Sequence, residues 1–361
     1  MKQKLLALAR VLVSVGILAY LFNSIFQKEA AKYFEEHQIN PETLSWSARA
    51  HIVWTQGPEA LWAVFRQVDP VWFALGIASM GAVCLLGIIR WRMILHVQGL
   101  DLTLPRVSSI FFVGMFFNAF LLGSTGGDVI KAWYVAHETH HKKAEAVATV
   151  VVDRLIGLLT LFVITLVMMG LYYHRVFDDP KLRLWAVITL AVVVSTVAGT
   201  ALGFWKGFAD KLPRLRALLR RLPRYDTLKR MVDAYRTYAS HPVVLGKTIA
   251  LTVGVHTFSM LAIVFVGWGL GLRSTHGVVD YFLYLPIINS VTAVPISISG
   301  FGVREGMYAV MFGEVGIATS EAVALSLLGY LASLFWSLVG AFFYLTHRRE
   351  LPTAKEMATV E

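Results

Sequence analysis

The sequence predicts an all-α polytopic membrane protein of about six transmembrane helices plus two oppositely inserted re-entrant hairpins that form an inverted repeat. Three observations carry that prediction. Apolar residues fill 57% of the 361 positions against 16% charged, and mean hydropathy is +0.62, well away from water-soluble domains. Six nearly uncharged runs, Val11–Phe26, Val71–Ile89, Leu155–Tyr173, Leu184–Trp205, Val243–Leu272 and Ala322–Thr346, approach or exceed the length a helix needs to cross the hydrocarbon core, about 20 residues. Two further apolar stretches are interrupted by glycine clusters, one around Gly126 and Gly127 and one around Gly300 and Gly302.

Taken in order, Lys2, Lys4 and Arg10 precede the first run as in a signal peptide, but no small-x-small cleavage site follows. Residues 1–26 are therefore expected to be an uncleaved first helix that starts in the cytoplasm. Residues 27–70 carry Glu29, Glu35, Glu36, Glu42 and Glu59 with few basic residues, and are expected as an extracytoplasmic amphipathic insertion with pieces such as Glu29–His37 on the membrane surface. The second run returns to the cytoplasm and ends in Arg90, Trp91 and Arg92, a basic-aromatic interface anchor.

Val107–Gly123 and Val129–Ala136 then flank the break, and the loop His137–Lys143 is again basic. Two full spans would leave the same ends, but glycines and an aspartate are poor in a lipid-facing helix, which favours a re-entrant hairpin. Residues 71–174 thus form repeat unit A, and 175–242 a transmembrane helix plus a basic cytoplasmic loop. Residues 243–346 form repeat unit B, whose order of elements copies unit A at an offset of 172 residues, and 347–361 form a cytoplasmic tail beginning His347, Arg348, Arg349. Asn118 precedes the first break and Asn289 the second. The charge rule brings the hairpins in from opposite sides, the plan that builds midplane sites from discontinuous helices.

The net charge of +10 does not imply nucleic acid, because its densest patch is juxtamembrane: ten Lys/Arg face three Asp between Lys206 and His241. That loop reads as a topology signal and an anionic-lipid contact, or as a solvated cytoplasmic loop. Cys84, the single cysteine, excludes an internal disulfide and a cysteine metal site.

Three constellations carry candidate binding chemistry. In the first, Ser124, Thr125, Gly126 and Gly127 lead into Asp128 and Lys131, so that backbone N–H groups at a helix start attract an anion such as phosphate. Asp128 would alternatively cap that helix, and Lys131, one turn on, would pair with it or meet a phosphate. In the second, Ser299, Gly300 and Gly302 precede Arg304 and Glu305; as neighbours on a helix, these two are expected to need separate partners. Glu305 suits a helix start, whereas a deep Arg304 costs about 2.5–3.5 kcal/mol on insertion scales and so needs a reason. The third is Asp153 and Arg154, about two turns inside their helix and roughly 12 Å from its end, too deep for easy snorkelling. Arg154 is expected to hold an anionic head group, with a structural ion pair to Asp128 or Glu305 as the alternative.

His137, Glu138 and His141 fit the H-E-x-x-H zinc-hydrolase pattern, but no third ligand is evident and Lys142 and Lys143 crowd it, so coincidence is the favoured reading. No P-loop, G-x-S-x-G elbow or dinucleotide fingerprint is present, and neither a cofactor nor a metal is expected.

The ordered motifs Gly126-Gly127-Asp128-Val129-Ile130-Lys131, Asp153-Arg154-Leu155-Ile156-Gly157-Leu158 and Ser299-Gly300-Phe301-Gly302-Val303-Arg304-Glu305-Gly306 resemble the family of lysylphosphatidylglycerol synthetase transmembrane domains, from about Val71 to the last run. The resemblance implies translocation of a lipid across the cytoplasmic membrane of a prokaryote, with phospholipids or polyprenyl- or hopanoid-type lipids as partners. Only a short tail follows His347, so the aminoacyl-transferase domain of the two-part synthetase is expected to be absent and the chain is not expected to be an enzyme. A non-transporting scaffold for a lipid-modifying enzyme is the competing reading, and a homo-oligomer is left open. The 27–70 insertion is expected to lie outside the resemblance.

Overall fold

A computed structural model describes residues 37–120, 126–139, 142–178, 180–204, 236–275, 277–293 and 302–346, with 23, 26, 27, 30, 31, 33 and 34. Among these residues the secondary structure is helical throughout, with no strand. The expected first helix, most of the 206–241 loop and the tail from His347 lie outside the described residues.

The helices are α1 (Trp46–Arg66), α2 (Pro70–Val97), α3 (Leu104–Phe120), α4 (Gly126–Glu138), α5 (Lys143–Leu171), α6 (Tyr173–Asp178), α7 (Pro180–Phe204), α8 (Pro242–Gly269), α9 (Val278–Thr292), α10 (Val303–Gly313) and α11 (Thr319–Thr346). Four of them, α2, α5, α8 and α11, are long and apolar enough to cross a membrane, at about 1.5 Å per residue against a core of about 30 Å. In α7, 25 residues long, the apolar stretch is Leu182–Ser195. The succession long, short, short, long therefore occurs twice, with 28, 17, 13 and 29 residues in α2–α5 and 28, 15, 11 and 28 in α8–α11.

Each short pair folds back on itself. In the first, Arg106 at the start of α3 bonds Glu138 at the end of α4, while Asn118 near the end of α3 accepts from the backbone N–H of Gly127 at 2.9 Å. The arms approach so closely that a Cβ on Gly127 would stand 1.9 Å from the Gly114 carbonyl oxygen, so only glycine fits there. In the second, the Tyr281 ring of α9 meets Phe312 of α10 at 5.1 Å, and Thr275 bonds the Val315 carbonyl through both its N–H and its hydroxyl. Arms of 11 to 17 residues are about 17–26 Å long, short of a full crossing.

The chain divides into two compact units. The first comprises Met1–Met80, Leu122–Ser124 and Ser259–Phe335, and holds α1, α9 and α10; the second comprises Gly81–Leu121, Thr125–Phe258 and Trp336–Glu361, and holds α3 to α7. In the first, Trp72 lies across Phe265 and Trp268, and Val53 of α1 joins Phe26, Phe34 and Val323 in a buried cluster. In the second, Ile88, Trp91 and Leu95 of α2 form a continuous core with Ile110, Trp133 and Val150.

Two expectations are corrected. The Arg90–Arg92 anchor is no helix end: α2 runs on to Val97, and Arg90 and Trp91 are buried while Arg92 is exposed. Residues 27–70 hold more than short pieces, because α1 is a 21-residue helix that passes through Pro58. Ser45 starts it by accepting from the Ala48 N–H at 3.3 Å, and Val53 and Gly57 bury one face.

Candidate functional site: a buried charge group in each unit

The second unit gathers five charged side chains from three helices. Asp128 sits in the first turn of α4, where a carboxylate is favoured by the helix dipole. Its carboxylate is not spent on a cap: it accepts from Arg154 Nε of α5 at 2.6 Å, and the capping of Gly127 falls to Asn118. One residue before Arg154, Asp153 points elsewhere, because neighbours on a helix diverge by about 100°. It accepts from Arg90 Nε of α2 at 2.9 Å. Arg90 Nη1 donates in turn to Thr252 Oγ1 of α8 at 3.0 Å, and Thr252 donates to the Thr248 carbonyl.

Lys131 stands one turn beyond Asp128 but does not pair with it. Its ammonium lies 4.0 Å from Asp153 and over the rings of Trp91, at 4.4 Å, and Phe111, at 5.1 Å. The methylene stem lies against Gly114, where a Cβ would meet Lys131 Cγ at 2.5 Å. Asp128, Lys131, Asp153 and Arg90 are all buried, whereas the Arg154 side chain keeps 49% exposure. Three basic groups thus face two carboxylates, an arrangement that holds its ions by mutual pairing and leaves the Arg154 side chain half exposed.

The first unit holds a smaller group at the start of α10. Gly302 is the N-cap at φ +82°, a conformation that favours glycine, and its N–H donates to Glu305 Oε2 at 2.6 Å. Arg304 donates to Glu305 Oε1 from Nη2 at 2.6 Å and from Nε at 3.0 Å, and Nε also reaches Ser326 Oγ of α11. The expectation of separate partners for Arg304 and Glu305 is therefore corrected: the long guanidinium arm curls along the first turn to its neighbour's carboxylate. Arg304 also lies over the Tyr330 ring at 4.8 Å, so its side chain is only 15% exposed and that of Glu305 not at all.

Of the residues singled out in the sequence, Asn118, Gly126, Gly127, Asp128, Lys131, Asp153 and Arg154 come together in one unit. Gly302, Arg304 and Glu305 come together in the other. Asn289 lies on α9 of that unit, where its carbonyl accepts from Ala293. Ser124, Thr125, Ser299 and Gly300 lie outside the described residues. Sequence reasoning missed Arg90, Thr252 and His256, whose Nε2 lies 3.0 Å from the Gly157 carbonyl of α5. A signal existed: Thr248, Thr252 and His256 are spaced by four along a largely apolar helix, a polar stripe that needs partners.

At the H-E-x-x-H stretch, Glu138 is held by Arg106 and the His137 ring stacks on Trp133 at 5.2 Å. His140 and His141 lie outside the described residues, among which no group of three possible metal ligands occurs.

Fold and site together define a multi-pass α-helical integral membrane protein with paired charges buried in its helical bundles. The family model for the lysylphosphatidylglycerol synthase TM region matches residues 43–340, and the chain belongs to that family. The match takes in α1, so the family region begins well before Val71. A UPF0104 membrane protein of Methanothermobacter thermautotrophicus is 23% identical over 305 residues, 76% of this chain and 84% of the relative. Another from the same organism is 22% identical, over 81% of this chain and 89% of its own length. A UPF0104 membrane protein of Pyrococcus horikoshii is 21% identical over 83% and 94% of the two chains.

Proposed function

We propose that this protein translocates a lipid with a phosphate-bearing head group, and that the Arg154–Asp128 pair is where the head group is held. The observation that carries the reading is the half-exposed Arg154 guanidinium mounted on an otherwise buried charge group. A head group that leaves water for the bilayer interior meets a large desolvation barrier, and fixed ions lower it. A phosphate competes with Asp128 for the planar donors of Arg154, and Lys131 supplies further positive charge one turn away on α4.

Helix α5 is suited to a lipid in a second way. About 200° round from Arg154, Ile156 begins an apolar flank that, with Leu159 and Val163, lines a cleft of about 300 Å³ against Leu245, Ile249 and Val253 of α8. The head group would be held on one face of α5 while acyl chains stay on the other. In this reading both termini are cytoplasmic, the α3–α4 and α9–α10 hairpins are re-entrant from opposite sides, and the units form an inverted repeat. The chain acts as a carrier rather than an enzyme. Arg304, saturated by Glu305, Ser326 and Tyr330, locks α10 to α11.

The test is translocation of a fluorescent phospholipid in proteoliposomes. Arg154→Ala is expected to slow it at least about tenfold, equivalent to about 1.4 kcal/mol, with the protein still folded. An unchanged rate removes Arg154 from the site.

A further inference from the structure

Helix α1 has a face that the translocation reading does not use. It carries Arg49, His51, Glu59 and Arg66, too many polar groups for a span, yet Trp46, Trp54 and Trp62 are 85%, 53% and 57% exposed. One side is already committed, since Ile52 and Val53 pack against Phe26, Phe34 and Val323. Trp54 touches the Phe26 ring edge-on at 5.3 Å and Arg66 lies over Trp62 at 5.5 Å, so Trp54 sits on the shoulder of the buried face and Trp62 on the polar face. Amphipathic indoles in that position suit the head-group layer of a bilayer, where an apolar ring and a polar edge are both satisfied.

Beside this shoulder opens a cleft of about 440 Å³ whose walls include Gln27, Gln38, Asn40 and Arg49 and whose floor includes Phe34 and Val53. The Arg49 guanidinium has no carboxylate, ring or hydroxyl engaged among the described residues, and Arg49 and Arg66 outnumber Glu59 on the helix. Asn40 is held in place, its Oδ1 accepting from the Glu42 N–H at 3.0 Å. A guanidinium without such a partner among the described residues, in a cleft also lined by amide side chains and Phe34 and next to exposed tryptophans, is suited to an anionic head group.

We infer that α1 is an interfacial docking site that gathers anionic phospholipid, with the lipid phosphate at Arg49 and the tryptophans among the neighbouring head groups. This rests on the chain being a membrane protein and not on its moving lipid, so the two readings fail separately.

The full-length protein in phosphatidylcholine nanodiscs tests the site. One-tenth of the lipid is replaced by brominated phosphatidylglycerol or, in parallel, by brominated phosphatidylcholine, and tryptophan emission is read. Brominated phosphatidylglycerol is expected to quench more strongly, and Arg49→Gln is expected to remove at least half of that excess. Trp54→Phe and Trp62→Phe together are expected to lower the quenchable emission. Equal quenching by the two lipids, or an excess that survives Arg49→Gln, overturns the proposal. So does an excess abolished by millimolar inorganic phosphate, which would make the cleft a free-phosphate site.

Discussion

Arg154 and Arg304 each reach a carboxylate at 2.6 Å, yet the first side chain keeps 49% exposure and the second 15%. The difference lies in what surrounds the pair. Arg304 curls back to Glu305 within one turn of α10 and is closed in by Ser326 and Tyr330, so most of the side chain meets protein. Arg154 bridges two helices, and the charges behind it, Asp153, Arg90 and Lys131, are engaged with one another. An ion satisfied on all sides fixes a helix in place; an ion satisfied on one side and backed by a rigid group can also meet a ligand. The same pattern, glycines followed by a charged helix start, thus ends in a more exposed pair in one unit and an enclosed pair in the other.

The contrast is sharpened first by the group behind Arg154. Asp153→Ala strips Arg90 of its partner while that guanidinium stays buried, and is expected to cost about 3–5 kcal/mol in unfolding measured in mixed detergent micelles. Asp153→Ala with Arg90→Met should recover most of that loss; no recovery would mean that the two do not act as a pair. Next, Glu305→Gln removes the charge that holds Arg304 and is expected to cost about 1.5–3 kcal/mol in the same assay. Gly302→Ala forces a Cβ into φ +82° and is expected to cost about 1–2 kcal/mol. Arg154→Ala is expected to cost less than Asp153→Ala, because half of that side chain is exposed, although it leaves the buried Asp128 carboxylate without its arginine. If Arg154→Ala destabilised as much as Asp153→Ala, the two arginine environments would not differ in kind.

Long apolar runs made the spanning helices legible, because crossing the bilayer leaves few other uses for such segments. The two pairs of short helices were legible from glycines beside short apolar arms, where Gly127 allows a close backbone approach and Gly302 takes a left-handed φ. Asp128 and Arg154 could be singled out because charge inside an apolar run demands a reason. Their pairing could not, since it depends on which faces of α4 and α5 meet. Arg90 was hidden by its position: with Arg92 it closes a nearly uncharged run and so looked like a helix end, and only the continuation of α2 to Val97 puts it inside. Helix α1 was obscured by Gly57-Pro58, which breaks a helix read from local preference alone; here Gly57 lets the helix close on Phe26.

The most direct measurement places Arg154→Gln and Arg304→Gln side by side in one proteoliposome translocation assay, with unfolding followed on the same preparations. The expected result is a loss of transport by a still-folded protein for Arg154→Gln, and a larger loss of stability for Arg304→Gln. Full transport by a folded Arg154→Gln protein would contradict the assignment of the open guanidinium as the lipid-holding group.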